Sequence, residues 1–320
     1  MRKIILTLSA LGALLPSLAN AQSYPTQPIK LIIPFAAGGP SDVLARGFAP
    51  KLGENLGQPI ILENKPGAGA NLAAEYVANS KGDGYTLFLM MVGTQAINET
   101  LYKKLNYNVI KDFAPVSLVG SSSLMLVANP SVPVKTVSEL ITFDKANPGK
   151  VSFGSSGAGT PLHLAGELFN TQAGTNILHV PYKGAAPALT DVLGGQIQTA
   201  IVGTPAALPY VKSGKLTALG VTSLKRSSNA PEIPAIAETL PKFEVELVYA
   251  IVAPASTPKA IIDKLNSQLI SVLNNPEIKA QLNSRGFDVL TSTPNQTAEY
   301  IKSEVTKWTP IVKKSGVTAE

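Results

Sequence analysis

The chain has 320 residues, 27 Lys and Arg against 21 Asp and Glu (formal net charge +6), and is 45% hydrophobic but only 15% charged. It is too apolar and too sparsely charged for an intrinsically disordered protein. It contains no cysteine and two histidines, His163 and His179, which excludes a disulfide scaffold, a cysteine-ligated metal centre and a cysteine nucleophile, and leaves little for a multi-histidine metal site.

In chain order, Arg2 and Lys3 form a basic head, Ile4 to Leu18 is an apolar run broken by Pro16, and Ala19-Asn20-Ala21 supplies an A-x-A cleavage pattern. Residues 1–21 therefore read as a secretory signal peptide, too short for a membrane span. No later segment approaches 18 uninterrupted apolar residues, so an exported protein of the bacterial periplasm is expected. The lysines are scattered and no Arg-rich stripe interleaves with aromatics, so nucleic acid is not an expected partner.

At roughly 150 residues per domain, the length suggests two domains. Short apolar runs alternate with amphipathic stretches, the pattern of βα units and mainly parallel sheets. Ile29 to Phe35 reads as a buried strand; Ser41 is placed to cap a helix carrying Leu44, Phe48, Leu52 and Leu56, which Gly57 ends. A strand from Pro59 to Glu63, a helix from Leu72 to Ala78 and a strand from Tyr85 to Val92 follow, with glycine-rich junctions at Gly38-Gly39, Gly67-Ala68-Gly69 and Gly93-Thr94. Thr136 with Glu139 predicts a capping box for a helix reaching about Lys145. Val151 to Gly154 is a strand leading into Ser155-Ser156-Gly157-Ala158-Gly159, where Thr160 as N-cap and Pro161 open a helix carrying Leu164, Leu168 and Phe169 inward. Strands at 177–180, 198–202 and 216–222 enclose helices at 185–193 and 206–212, and three proline-opened helices begin at Pro258, Pro276 and Pro294.

Two extended runs, Val116 to Val127 and Val245 to Ala253, connect the halves. Two crossings make one domain discontinuous: 22–124 with 253–320 as domain 1, and 125–252 as domain 2. This is a hinged pair of α/β domains with a cleft between them, and ligands in such sheets bind beyond the carboxyl ends of the strands.

The catalytic signatures fail one by one. G-x-G-x-x-G is broken by Leu72 after Gly67 and by Leu162 after Gly157, no G-x-x-x-x-G-K-[ST] exists, and Gly154-Ser155-Ser156-Gly157-Ala158 ends in alanine where a nucleophile elbow needs glycine. A Ser/His/Asp set can still be assembled from Ser156, His163 or His179, and Asp191, which keeps a periplasmic serine hydrolase as the alternative. His163 and His179 otherwise read as structural. Asp42 suits the helix dipole, and Lys183 either neutralises a ligand carboxylate or lies in solvent. Glycine-rich loops that end at helix N-termini direct backbone N–H groups into one space and favour an anion there.

Ordered motifs run from about Tyr24 to the C-terminus: Ile33-Pro34-Phe35-Ala36-Ala37-Gly38-Gly39-Pro40-Ser41-Asp42 with Ala45-Arg46; Glu63-Asn64-Lys65-Pro66-Gly67-Ala68-Gly69; Gly166-Glu167-Leu168-Phe169; His179-Val180-Pro181-Tyr182-Lys183-Gly184; Pro187-Ala188-Leu189; Leu193-Gly194-Gly195-Gln196; and Gly214-Lys215-Leu216 before Ala218 to Thr222. Together they resemble the Bug-type (TctC-like) solute-binding proteins of tripartite tricarboxylate transporters. The resemblance implies a periplasmic Venus-flytrap receptor of the type II-like binding-protein fold. Such a receptor is a monomer without cofactor or metal, which captures a small organic carboxylate (a di- or tricarboxylate or an aromatic carboxylate) and presents it to membrane transporter subunits; a sensor feeding a signalling partner is the other role it leaves open. It implies ligand contacts in the first domain from Phe35, Ala36, Ala37, Gly38, Gly39, Asp42, Gly67, Ala68, Gly69 and Thr94. In the second domain it implies Ser155, Ser156, Gly157, Thr160, His163, Tyr182, Lys183, Gly184, Thr204 and Pro205. Three positions depart from the family pattern: Ala70 where glycine is frequent, Gly203 without an aspartate that would suit an amino-acid ligand, and Tyr249 where tryptophan is frequent.

Overall fold

The computed structural model describes residues 24–35, 37–182, 184–227 and 230–317. The expected signal peptide, Ala36 and Lys183 lie outside the described residues.

The first sheet is built from β1 (Ile29–Ile33), β2 (Ile60–Asn64), β3 (Thr86–Met91), the first part of the long β4 (Phe113–Ala128), β9 (Glu246–Pro254) and the short β10 (Asp288–Val289). Its order is β2-β1-β3-β9-β4, parallel among β1, β2 and β3 and antiparallel at β9 and β10. The second sheet takes the rest of β4 with β7 (Thr199–Gly203), β5 (Ser152–Ser155), β6 (Leu178–Pro181) and β8 (Thr217–Val221). The antiparallel β4 and β9 thus modify the mainly parallel expectation.

Apart from the exposed Lys30, strand β1 is apolar on both faces because both are covered. Ile29, Leu31 and Ile33 join the core under α1 (Pro40–Leu56), α8 (Lys259–Leu273) and α9 (Pro276–Ser284), while Ile32 joins Ala73, Ala74 and Val77 of α2 (Asn71–Ala78) on the opposite face. The expected α1 stripe of Leu44, Phe48, Leu52 and Leu56 is buried, and Gly57 closes the helix in the left-handed region (φ 73°). Its start differs from expectation: Pro40 occupies the first turn with Gly39 as N-cap, so Ser41 is already helical.

In the second lobe, α4 (Val137–Ala146) and α5 (Pro161–Ala173) cover one face, and α6 (Ala185–Leu193) and α7 (Thr204–Lys212) the other. Thr136 caps α4, accepting from Glu139 N–H, but the Glu139 carboxylate bonds the N–H of Lys135 rather than that of the cap, so the box is only half formed. Thr160 and Pro161 open α5 as expected.

The chain passes between the sheets twice. On β4 the partner changes from β9 at Ser123 to β7 at Leu124. On return, Val245 N–H bonds Thr222 in the second sheet while Glu246 pairs with Ser123 in the first. All of β9 therefore lies in the first sheet, whereas the sequence reading carried the second domain to residue 252. From Val248 to Pro254 the strand is buried throughout, while Glu246 and Leu247 at its start are half-buried. A third link is α10 (Pro294–Ser315): it packs on α3 (Val92–Leu101), and its Trp308 and Val312 enter a core shared with Leu164 and Phe169 of α5. Among the described residues no helix is long and apolar enough to cross a membrane.

Candidate functional site

A cavity of about 230 Å³ lies between the lobes. From the first lobe it is lined by Phe35 at the end of β1, by Gly69, by Met91 and Thr94 at the start of α3, and by Asn98, Leu101 and Tyr102 further along that helix. From the second lobe come Ser156 and residues 158–162, the turn that leads into α5, and Leu247 of β9 closes it. A wider open groove of about 740 Å³ runs between α1 and the edge strand β2. It contains none of the residues expected to contact a ligand.

The first-lobe wall is held by an amide network. Asn98 donates through Nδ2 to Gly69 O (2.8 Å) and to Asn71 Oδ1 (2.7 Å), and Tyr107 donates to the same Asn71 oxygen (2.6 Å). Gly69 sits in the left-handed region (φ 61°), and a Cβ there would lie 2.7 Å from the Tyr102 hydroxyl, so a side chain at this position would be strained and would force Tyr102 to move. Thr94 stands in the first turn of α3, whose N-cap is Met91 and which has no side-chain cap. The Thr94 side chain is buried, and its Oγ1 has no hydrogen-bond partner. A buried hydroxyl without a partner is costly and marks a place where polar chemistry is unfinished.

The second-lobe wall is satisfied within itself. Ser156 donates to Thr160 Oγ1 (3.1 Å); Thr160 in turn donates to Gly157 O (2.7 Å) and accepts from His163 N–H (3.3 Å). His163 Nδ1 accepts from Gly159 N–H (3.1 Å), which ties the cavity loop to a buried ring. That ring stacks on His179 at a centroid distance of 3.8 Å, and His179 Nε2 shares a 2.7 Å hydrogen bond with Ser155, which is fully buried. Burial, then the neighbouring His163, pushes the His179 imidazole down to about 4.

The expected contact residues thus divide. Phe35, Gly69, Thr94, Ser156 and Thr160 line the cavity. Gly67, Ala68, Ser155, Gly157 and His163 stand behind it and shape its loops. Ala37 and Gly38 are exposed, and Gly38 N–H is committed to Asp42 Oδ2 (3.0 Å) rather than open to a ligand. Asp42 is buried; the hydrogen bond from Arg46 (2.7 Å) and those from Gly38 and Asn64 hold its carboxyl below the usual range against the opposing effect of burial. Gly39 serves as the α1 N-cap. Tyr182 donates to Asp191 (2.7 Å) on the flank of the second sheet, and Gly184 caps α6. Thr204 bonds Ser123 (2.9 Å) at the changeover between sheets, and Pro205 packs against Gly286. None of Asp42, Tyr182, Gly184, Thr204 and Pro205 lines the cavity.

The hydrolase constellation is not assembled. Ser156 bonds Thr160, His163 serves Gly159, His179 pairs with the buried Ser155, and Asp191 is held by Tyr182. Asn98, one helical turn beyond Thr94, is a wall residue that the sequence reading lacks because α3 is hidden in it: Tyr85 to Val92 reads as unbroken strand, and Met91 is no cap signal.

The model of the "Tripartite tricarboxylate transporter family receptor" matches residues 44–317. The protein BugT of Bordetella pertussis is 37% identical over 93% of this chain and 92% of its own length. Among solved structures, one titled "R. palustris Rpa4515 with adipate" is 33% identical with a TM-score of 0.79, covering 92% of this chain and 99% of that one. The periplasmic binding protein BugD is 35% identical (TM-score 0.76; 93% and 100% covered). MatC from Rhodopseudomonas palustris with bound malate is 30% identical (TM-score 0.74; 90% and 100%). These likenesses span both sheets and identify the α/β periplasmic binding-protein fold.

Proposed function

The chain belongs to the tripartite tricarboxylate transporter receptor family, and from that premise we propose that it is a periplasmic receptor that captures a small organic carboxylate between its two lobes and hands it to membrane transporter subunits. The observation that carries this reading is the buried Thr94 hydroxyl without a partner, set in the uncapped first turn of α3, with Thr94 itself in the wall of a cavity that both lobes line. The first N–H groups of a helix lack intrahelical acceptors and carry partial positive charge, so a carboxylate there completes their hydrogen bonding and that of Thr94. Adipate and malate in the two related structures support the ligand class. The lobes turn about the crossings at Ser123/Leu124 and Val245/Glu246, and the ligand-bound form is the one the transporter recognises. The protein acts as a monomer exported by residues 1–21.

Thermal unfolding against a panel of organic carboxylates, amino acids and neutral analogues tests the reading. A ligand at 100 times its dissociation constant adds about 2.7 kcal/mol, a shift of several degrees for a protein of this size. Shifts confined to acids support it; a panel in which only amines or neutral compounds shift the protein removes it.

A further inference from the structure

Building on the carboxylate reading, we infer that Asn98 selects among acids by recognising a hydroxyl one or two carbons from the ligand's carboxylate, so that the preferred ligand is a hydroxycarboxylic acid. Asn98 follows Thr94 by one turn of α3, which puts their Cβ atoms about 5–6 Å apart on one face, and both line the cavity. A side-chain amide has two N–H donors and one carbonyl acceptor. Both donors of Asn98 are spent, on Gly69 O (2.8 Å) and on Asn71 Oδ1 (2.7 Å). The first of these partners is a backbone carbonyl, which only a donor can face, so the amide is held this way round. Its Oδ1 is the atom left over, and no donor among the described residues reaches it. Nor is it sealed in: among the described residues the side-chain atoms that are both inaccessible and unpartnered are Asn71 Nδ2, Thr94 Oγ1, Gln95 Nε2 and Asp144 Oδ1. The space that Asn98 borders is the cavity.

An acceptor of this kind repels a carboxylate oxygen, gains nothing from a methylene, and is completed by a ligand O–H; a ligand that displaces its water without replacing the hydrogen bond leaves it unpaired at a cost. A ligand hydroxyl also accepts, and the hydroxyl of Tyr102, the residue that closes α3 one turn beyond Asn98, carries no hydrogen bond among the described residues and is the donor beside it. An ammonium group in the same place needs its charge compensated on leaving water, and none of the described lining residues is charged. The carboxylate itself goes to donors: Thr94, and the N–H groups of Ala158 and Leu162 in the opposite wall, which are without a partner among the described residues. A hydroxyl on the carbon beside the carboxylate, or on the next one, spans the single turn between Thr94 and Asn98.

Calorimetric titration of the purified wild-type protein with acids matched except for the hydroxyl decides the matter: malate against succinate, citrate against tricarballylate, 3-hydroxybutyrate against butyrate, and phenyllactate against phenylpropionate. Aspartate is the amine counterpart of malate and malamide its neutral one. The expected result is that the hydroxy acid binds at least tenfold tighter than its deoxy partner in every pair that binds, and that malate binds tighter than aspartate. Deoxy acids as tight as their hydroxy partners, or aspartate tighter than malate, overturn this inference and leave the carboxylate reading intact. Malamide equal to malate, or no binding by any acid, overturns both. Asn98→Leu is expected to bring the hydroxy-to-deoxy affinity ratio close to one, and Tyr102→Phe to lower it at least threefold. Asn98 also holds the Gly69 turn, so Asn98→Leu weakens both members of a pair, and the ratio is the quantity that a merely structural role leaves in place. An unchanged ratio in Asn98→Leu, or in Tyr102→Phe where Asn98→Leu does not fold, overturns the assignment.

Discussion

The imidazoles of His163 and His179 lie face to face, 3.8 Å between centroids and 22° from parallel, with Phe153 against both. Each ring is held by its own hydrogen bond, His163 Nδ1 accepting from Gly159 N–H and His179 Nε2 bonding Ser155. His179, held down to about 4 by burial and by His163 with Glu167 opposing, is neutral in the fold but titrates near 6.5 in the unfolded chain.

The unfolded state therefore binds more protons between these values, and stability falls as pH drops from about 6.5 to about 4. Denaturant midpoints measured across that interval should decline for the wild type and decline less for His179→Phe. Equal slopes for the two proteins would remove His179 as the source.

Glu246 predicts the opposite sign. It starts β9 at the second crossing, opposite Ser123, and burial, followed by Glu244 and Asp288, pushes its carboxyl up to about 7, with Ser121 and Lys307 opposing. Its contribution is complete below about 4.5 and is lost as pH rises through about 7. Glu246→Gln should gain stability relative to wild type at pH 8 and show no gain at pH 4, as read from the same midpoints.

Asp42 fastens the loop after β1 to α1 through Gly38, Arg46 and Asn64. Asp42→Asn places an amide donor among three donors, and a loss of about 1–3 kcal/mol is expected at pH 7. The difference from wild type should shrink in acid, because the wild-type carboxyl, held low, loses its contribution as it protonates. A constant difference down to pH 2 would contradict the assignment.

Gly159 (φ 74°) approaches Leu101 across the cavity, and a Cβ on it would come 2.8 Å from the Leu101 side chain. Gly159→Ala should cost at least tenfold in affinity for whichever acid of the panel binds the wild type, through the lobes' failure to meet. Adding Leu101→Ala should recover part of that loss. A double variant no better than the single would place the defect in the backbone conformation instead.

Ala70 has φ 77°, a conformation costing an alanine roughly 1–2 kcal/mol relative to the right-handed helix. This is the position where the resemblance leads one to expect glycine. Ala70→Gly should raise stability by about 0.5–1 kcal/mol, the relieved strain being partly offset by added freedom in the unfolded chain. A lower midpoint would mean that the buried methyl matters more than the strain.

What the sequence disclosed was local. Thr160-Pro161 announces α5, Gly57 ends α1, and the leucines of α1 fall on one face because a single rule, periodicity or capping, governs each. What it concealed depends on distant partners. Gly38 reads as a free amide until Asp42 is seen to hold it, and Tyr249, read only as a residue of the second crossing, is buried in the first-sheet core beside Phe287. Thr204 is a ligand contact by the resemblance, but its hydroxyl is claimed by Ser123 at the changeover. Cavity and hinge both recruit small polar residues after strands, and only the tertiary arrangement tells them apart.

The placement of Trp308 and Val312 has a mechanical meaning. The two chain crossings lie side by side on neighbouring strands, and alone they would let the lobes swing like a door. Helix α10 adds an anchorage away from that line, by lodging first-lobe side chains in a core that α5 also occupies. Any turn of the lobes about the crossings therefore also moves α5 against Trp308 and Val312, so the shared core must give or repack as the lobes part.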